Sequence, residues 1–229
     1  MDKTIRENLN GKYLFVYTHE LKETIQFVIE NKLDQIQIRY GSDEKNNNVA
    51  VDFKELEKLS PYLKTLSFCD LHNMEIINFE SIYSLNKLEK IYMPSIKKII
   101  IDISRFNKLR HLGVEYWKGI KNIGKIKTLE SMVIIKYPYE NIVELSSLSN
   151  LKILHIYSSK IKSLEGIEKL RYLEELSLSR NNYLENINII KDIKSLNKLS
   201  IEKCKKLKEH NFVYELENIK SLYVDKFIK

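Results

Sequence analysis

Residues 151–172, LKILHIYSSKIKSLEGIEKLRY, place apolar side chains at Leu151, Leu154, Ile156, Ile161, Leu164, Ile167 and Leu170. Leu173, Leu176 and Leu178 begin the same pattern again 22 residues after Leu151. No other feature constrains the fold as strongly. A unit this short cannot bury its own apolar face and must stack on a neighbour. The opening triplet L-x-x-L-x-L recurs as Leu33/Ile36/Ile38, Leu63/Leu66/Phe68, Leu88/Ile91/Met93, Leu109/Leu112/Val114, Leu129/Met132/Ile134, Leu196/Leu199/Ile201 and Ile219/Leu222/Val224. Starts from Leu63 onward lie 25, 21, 20, 22, 22, 23 and 23 residues apart.

This pattern resembles the leucine-rich repeat family, specifically the 22-residue class found in bacterial internalins, over about residues 33–229. The resemblance implies one parallel strand per repeat, stacked into a curved solenoid with short helical or 3₁₀ segments on the convex side. The family usually carries Asn at the ninth repeat position, where it ties adjacent turns together. Here that column reads Leu71, Ile96, Trp117, Tyr137, Ser159, Asn181, Cys204 and Phe227. Asn181 fits and Cys204 is a common substitute; bulk replaces most of the rest, which implies irregular curvature. Trp117 stands in this inward-pointing column and reads as core.

Residues 1–32 read as an N-terminal βα cap. Tyr13–Tyr17 is a strand, Thr18 fits a helix N-cap, and the segment after it turns Leu21, Ile25, Val28 and Ile29 inward. About nine repeats occupy 33–229, the last truncated, and the charges of the terminal DKFIK suit edge protection. The fold class expected is thus an α/β repeat: a leucine-rich repeat solenoid with a parallel concave sheet and a βα cap.

Side chains alternate faces along a strand, so the third, fifth and seventh positions of each repeat face the concave side. At both ends of the array these columns are polar. In the middle they are not: LESMVIIKY (129–137) has Met132, Val133, Ile134 and Ile135 in an unbroken apolar run. Val133, Ile135, Ile153, Tyr92 and Tyr157 cluster in these columns, bordered by Lys90, His111, Glu115 and His155, with Tyr116 at the adjacent eighth position. An apolar patch rimmed by polar groups marks an interaction site, and aromatics at its centre suit anchors. The bland alternative is that β-branched residues simply suit strands, or that a loop folds over the patch.

The remaining features narrow the function. The formal charge is +7, yet only six of 38 basic residues are arginine, whereas base and phosphate readers favour Arg forks. Solvated lysine therefore explains the charge better than a nucleic-acid partner does. Two cysteines, Cys69 and Cys204, form no disulfide framework, and their repeat positions are too far apart for a bridge. No metal-ligand spacing, HExxH, GxSxG or phosphate-binding glycine loop occurs, so neither a metal nor a cofactor is expected; Glu115 near His111 is the one candidate acid/base pair. No apolar run approaches the roughly 18 residues needed to span a bilayer, and the N-terminus has no signal-peptide pattern, so the expected location is cytoplasmic. The resemblance implies a non-catalytic module that binds a protein partner on its concave face. By analogy this suggests a bacterial immunity protein neutralising a cognate toxin. The alternatives are a host-facing interaction protein exported without a signal, or a nucleic-acid binder using the Lys-rich body.

Overall fold

The computed structural model describes residues 4–8, 11–41, 50–69, 71 and 75–225. Phe227 and all of DKFIK except Asp225 lie outside the described residues. The chain forms two compact units, Met1–Leu109 with Trp117–Lys121, and Arg110–Tyr116 with Asn122–Lys229.

In the first unit, strands Arg6–Asn8, Gly11–Tyr17, Gln35–Arg39, Thr65–Cys69 and Lys90–Met93 lie side by side in sequence order. The first pair is antiparallel and the rest are parallel. At the start of this unit the Arg6–Asn8/Gly11–Tyr17 hairpin is followed by helix Leu21–Glu30, with Leu21, Ile25 and Val28 buried. Two details differ from the sequence reading. Thr24, not Ile29, completes the buried stripe. Thr18 does not cap the helix: a 3₁₀ turn, Thr18–Glu20, comes first, and the Thr18 hydroxyl accepts from the Gly41 backbone N–H at 3.1 Å. The helix ends where Lys32 adopts a left-handed φ of 51°. There Lys32 N–H donates to Ile29 and Leu33 N–H to Val28, closing the last turn as a Schellman motif.

Behind this sheet, 3₁₀ segments Phe53–Leu59, Phe79–Ser84 and Ile103–Arg105 return the chain. Phe53 stacks between Phe68 and Phe79, with centroids 5.9 and 5.5 Å away. Trp117 is buried, as its column implies, and its indole N–H donates to the Ile99 carbonyl at 2.8 Å.

The second unit is more regular. Strands His111–Glu115, Ser131–Ile135, Ile153–Tyr157, Glu175–Ser179, Lys198–Glu202 and Ser221–Val224 run parallel in that order. The register pairs each repeat position with the same position next door: Ser131 with Ile153, Ile153 with Glu175, Glu175 with Lys198. Leu151, Leu154, Ile156, Ile161, Leu164, Ile167 and Leu170 are all buried, so the 22-residue period delivers one apolar layer per turn. A parallel strand cannot turn straight back; a 3₁₀ segment on the far side makes each return, as at Ile123–Lys125, Val143–Leu145 and Ile167–Lys169.

The ninth-position column forms a ladder, but a short one. Tyr137 N–H donates to Ser159 Oγ at 2.9 Å, and Ser159 N–H to Asn181 Oδ1 at 3.0 Å. Asn181 Nδ2 reaches the Ile156 carbonyl at 2.8 Å, and Cys204 Sγ follows in the next turn. Ser159, Asn181 and Cys204 each satisfy the backbone N–H of the ninth residue one repeat earlier. Serine and cysteine do this as well as asparagine, so the ladder is longer than the single Asn suggested. One residue before it, Lys136, Ser158, Arg180 and Lys203 all adopt left-handed φ angles of 50–59°, turning the chain out of the strand.

Candidate functional site

Of the ten residues singled out in the sequence, Lys90 and Tyr92 lie on the Lys90–Met93 strand of the first unit, Lys90 half-buried and Tyr92 exposed. The other eight belong to the second unit, where the register fixes their neighbours. One row runs His111, Ser131, Ile153, Glu175, Lys198; the next runs Gly113, Val133, His155, Ser177; the third runs Glu115, Ile135, Tyr157, Ser179. Val133, Ile135 and Ile153 are thus neighbours on the open face of two adjacent strands. The alternating burial of the Ser131–Ile135 strand resolves its apolar run. Met132 and Ile134 are fully buried and Val133 and Ile135 half-buried. The patch is less exposed than the sequence implied, because neighbouring side chains on a parallel sheet shield one another.

A polar network edges the patch. His155 Nε2 lies 2.8 Å from Glu175 Oε1, Tyr157 Oη 3.1 Å from His155 Nδ1, and Lys198 Nζ 3.1 Å from Glu175 Oε2. Burial pushes the Glu175 carboxyl up, but hydrogen bonds from His155 and Lys198 and their charges outweigh it and hold it below the usual carboxylate range. With Glu175 ionised, the Nε2–H of His155 donates to it, and the Tyr157 hydroxyl pairs with Nδ1. This fixes both rings. The acid–histidine contact in this network is His155–Glu175, and Glu115 is bound to Lys136 Nζ at 2.7 Å.

The patch ends in aromatics. Tyr116 packs edge-on against Tyr137 and Tyr139, with centroids 6.1 Å from each, and its hydroxyl lies 3.3 Å from that of Tyr139. Burial, and then the Tyr139 hydrogen bond, push the Tyr116 hydroxyl up, so it stays protonated at neutral pH. Tyr139 is exposed. Sequence reasoning missed Tyr139, Glu175 and Lys198. Register could have found the last two, since they occupy the third column beside Ile153; Tyr139 follows Pro138 outside any periodic column. Among the described residues no group of three His, Cys, Asp or Glu side chains converges as metal ligands would, and no helix is long and apolar enough to cross a membrane.

The repeat period, the in-register parallel strands and the ninth-position ladder together define a leucine-rich repeat fold. No family model matches the chain. The chain is 36% identical over 98 residues to an Arabidopsis thaliana protein described as a protein phosphatase 1 regulatory inhibitor subunit PPP1R7 homolog. That match covers 42% of this chain and 27% of the relative. Among solved structures, the internalin InlF of Listeria monocytogenes aligns with a TM-score of 0.55 at 20% identity, over 82% of this chain and 54% of its own. The TLR13 chain of the TLR13–ssRNA13 complex aligns with a TM-score of 0.64 at 17% identity, over 90% of this chain and 30% of its own. This chain therefore spans less than two thirds of each of the three, and the two structural likenesses establish the fold.

Proposed function

We propose that this chain is a protein-recognition module that docks a partner on the open face of its second unit. The observation that carries this reading is the placement of Val133, Ile135 and Ile153 as neighbours on a face whose flanking columns are Ser, Glu, His and Lys. β-propensity alone does not account for it, since the next strands carry Ser177, Ser179 and Ser200 at equivalent positions. The His155–Tyr157–Glu175 network holds the patch edge rigid, and Tyr116 and Tyr139 supply amphipathic anchors of the kind that concentrate binding energy. His111 and Glu115 extend the surface within the second unit, and Lys90 and Tyr92 stand on the Lys90–Met93 strand of the first unit. The relative named as a phosphatase regulatory inhibitor subunit supports a module that acts by holding another protein. The specific reading is a cytoplasmic bacterial immunity protein that neutralises a toxin, working without metal or cofactor.

The test is to look for a toxin-like reading frame beside this gene and to co-express its product with this chain, followed by copurification and growth; absence of any such reading frame counts against the immunity role. Wild type restores growth and copurifies with the toxin. Ile135→Asp, placing an unpaired charge in a dry contact, weakens binding by at least about 2 kcal/mol, and Lys191→Asp, on a return segment, does not. Equal loss in both variants refutes the patch; binding without growth rescue refutes the immunity role and leaves the recognition module.

A further inference from the structure

A cavity of about 470 Å³ opens at the C-terminal ends of the second unit's strands, and four cations line it: Lys160, Arg180, Lys203 and Lys205. No carboxylate is among its lining residues. Glu202, outside the lining, is bound to Lys203 at 2.9 Å and also interacts with Arg180. Two other cavities show the contrast. At the opposite ends of the strands, Arg110, Glu130 and Lys152 line one, and Glu130 pairs with both bases. In the first unit, Lys54, Glu57, Glu80 and Arg105 balance another. A lysine-rich composition alone does not explain why one cavity gathers cations without acids.

The backbone builds this cluster. Left-handed turns at Ser158, Arg180 and Lys203 throw the eighth side chains onto the rim, and the tenth position, two residues on, adds Lys160 and Lys205. Adjacent repeats stand only about 4.8 Å apart, so these cations repel one another across the ladder. An anion seated among them converts that repulsion into attraction. The Ser158 hydroxyl and the Asn182 amide, also in the lining, can donate hydrogen bonds to its oxygens.

We propose that this cavity binds an acidic segment of a protein, side-chain carboxylates entering between Lys160, Arg180, Lys203 and Lys205. Two observations favour this over a nucleic-acid strand. Sequence-blind binding of single strands uses a continuous basic groove and open aromatic faces for stacking. Here Glu202 lies against Lys203 and Arg180 and breaks the basic track, and the one exposed ring in the cavity, Tyr183, carries the Lys206 ammonium 5.5 Å from its centroid. The cluster also offers one Arg to three Lys, suited to point-charge pairing rather than base reading. The inference goes beyond the apolar patch and does not depend on it.

The experiment is fluorescence anisotropy of a labelled short polyglutamate peptide at low salt, with a single-stranded oligonucleotide of equal charge as comparator. Wild type is expected to bind the peptide. Lys160→Glu/Lys205→Glu is expected to weaken it at least about tenfold. The control Lys152→Glu/Lys220→Glu, with the same net charge change away from the cavity, moves it less than about twofold. Ile135→Asp leaves it unchanged, so failure of the apolar patch and failure of this site read out separately. The double variants alter exposed side chains only, and circular dichroism verifies their folding. Absence of peptide binding, equal losses in both double variants, a loss in Ile135→Asp, or tighter binding of the oligonucleotide at about 0.15 M salt each overturn the proposal.

Discussion

Asn181 is the best-defined test of how the repeats are held together. Its side chain is fully buried, accepts from Ser159 N–H at 3.0 Å and donates to the Ile156 carbonyl at 2.8 Å. Asn181→Ala leaves the Ser159 N–H without its partner in a water-free position, a loss of about 1–3 kcal/mol. It also deprives Ile156 of a donor and opens a small void, bringing the total to about 2–4 kcal/mol. Ser159→Ala orphans the Tyr137 N–H in the same way but removes only a hydroxyl, so its cost falls at the lower end, about 1–2 kcal/mol. Asn181→Asp discriminates further. It keeps the acceptor for Ser159 but turns an oxygen toward the Ile156 carbonyl. The buried carboxyl then has a folded-state pKa above its unfolded value. Its deficit against wild type is largest at neutral pH and shrinks as the pH falls and the acid regains a proton to donate. Urea unfolding followed by far-ultraviolet circular dichroism measures all three. A cost below about 1 kcal/mol for Asn181→Ala, or an Asn181→Asp protein as stable as wild type at pH 7, would refute the ladder's role.

Further outcomes follow from burial and charge. Ile134→Asp puts a carboxylate into a fully buried site and is expected to unfold the protein or cost at least about 4 kcal/mol, whereas Ile135→Asp on the half-buried face costs about 1 kcal/mol; similar collapse of both in thermal melts would mean the open face is covered. Glu175, with its folded pKa depressed, contributes stability above its unfolded value near about 4.3 that is lost as pH falls through the folded value. The stability gap between wild type and Glu175→Gln in urea titrations should therefore narrow on acidification, and a pH-independent gap would contradict the network. Burial pushes the Cys204 thiol up to about 11 and the side chain is inaccessible, so iodoacetamide at mildly alkaline pH should alkylate half-buried Cys69 first; mass spectrometry of the native protein reads the order.

The fold was legible because its signal is a period. Leu151, Leu154 and Ile156 each recur at a constant offset, and offsets survive without knowing any long-range contact. The cap was less legible at its joints. Thr18 has the right chemistry for a helix cap, yet tertiary structure offered its hydroxyl the Gly41 N–H instead. The open-face columns could also be read, since alternation and register are local rules. What a column cannot give is reach. The Glu175–His155 contact joins neighbouring columns across two strands, and Tyr116 meets Tyr139 through a loop that has no period. The cationic cavity was hidden for a different reason: the +7 charge was averaged over the chain, and only the left-handed turns show where it gathers.

Those turns have a consequence for how the protein can change over generations. Lys136, Ser158, Arg180 and Lys203 hold a conformation that costs non-glycine residues about 1–2 kcal/mol each. Glycine would relieve that strain at any of them, so selection for robustness alone would drive the column toward glycine. Three of the four positions instead carry a cation. Each is a site where a sequence can trade stability against surface charge in one step, repeat by repeat, without disturbing the buried ladder one residue away. The rim is therefore the part of this molecule most readily retuned to a new anionic partner.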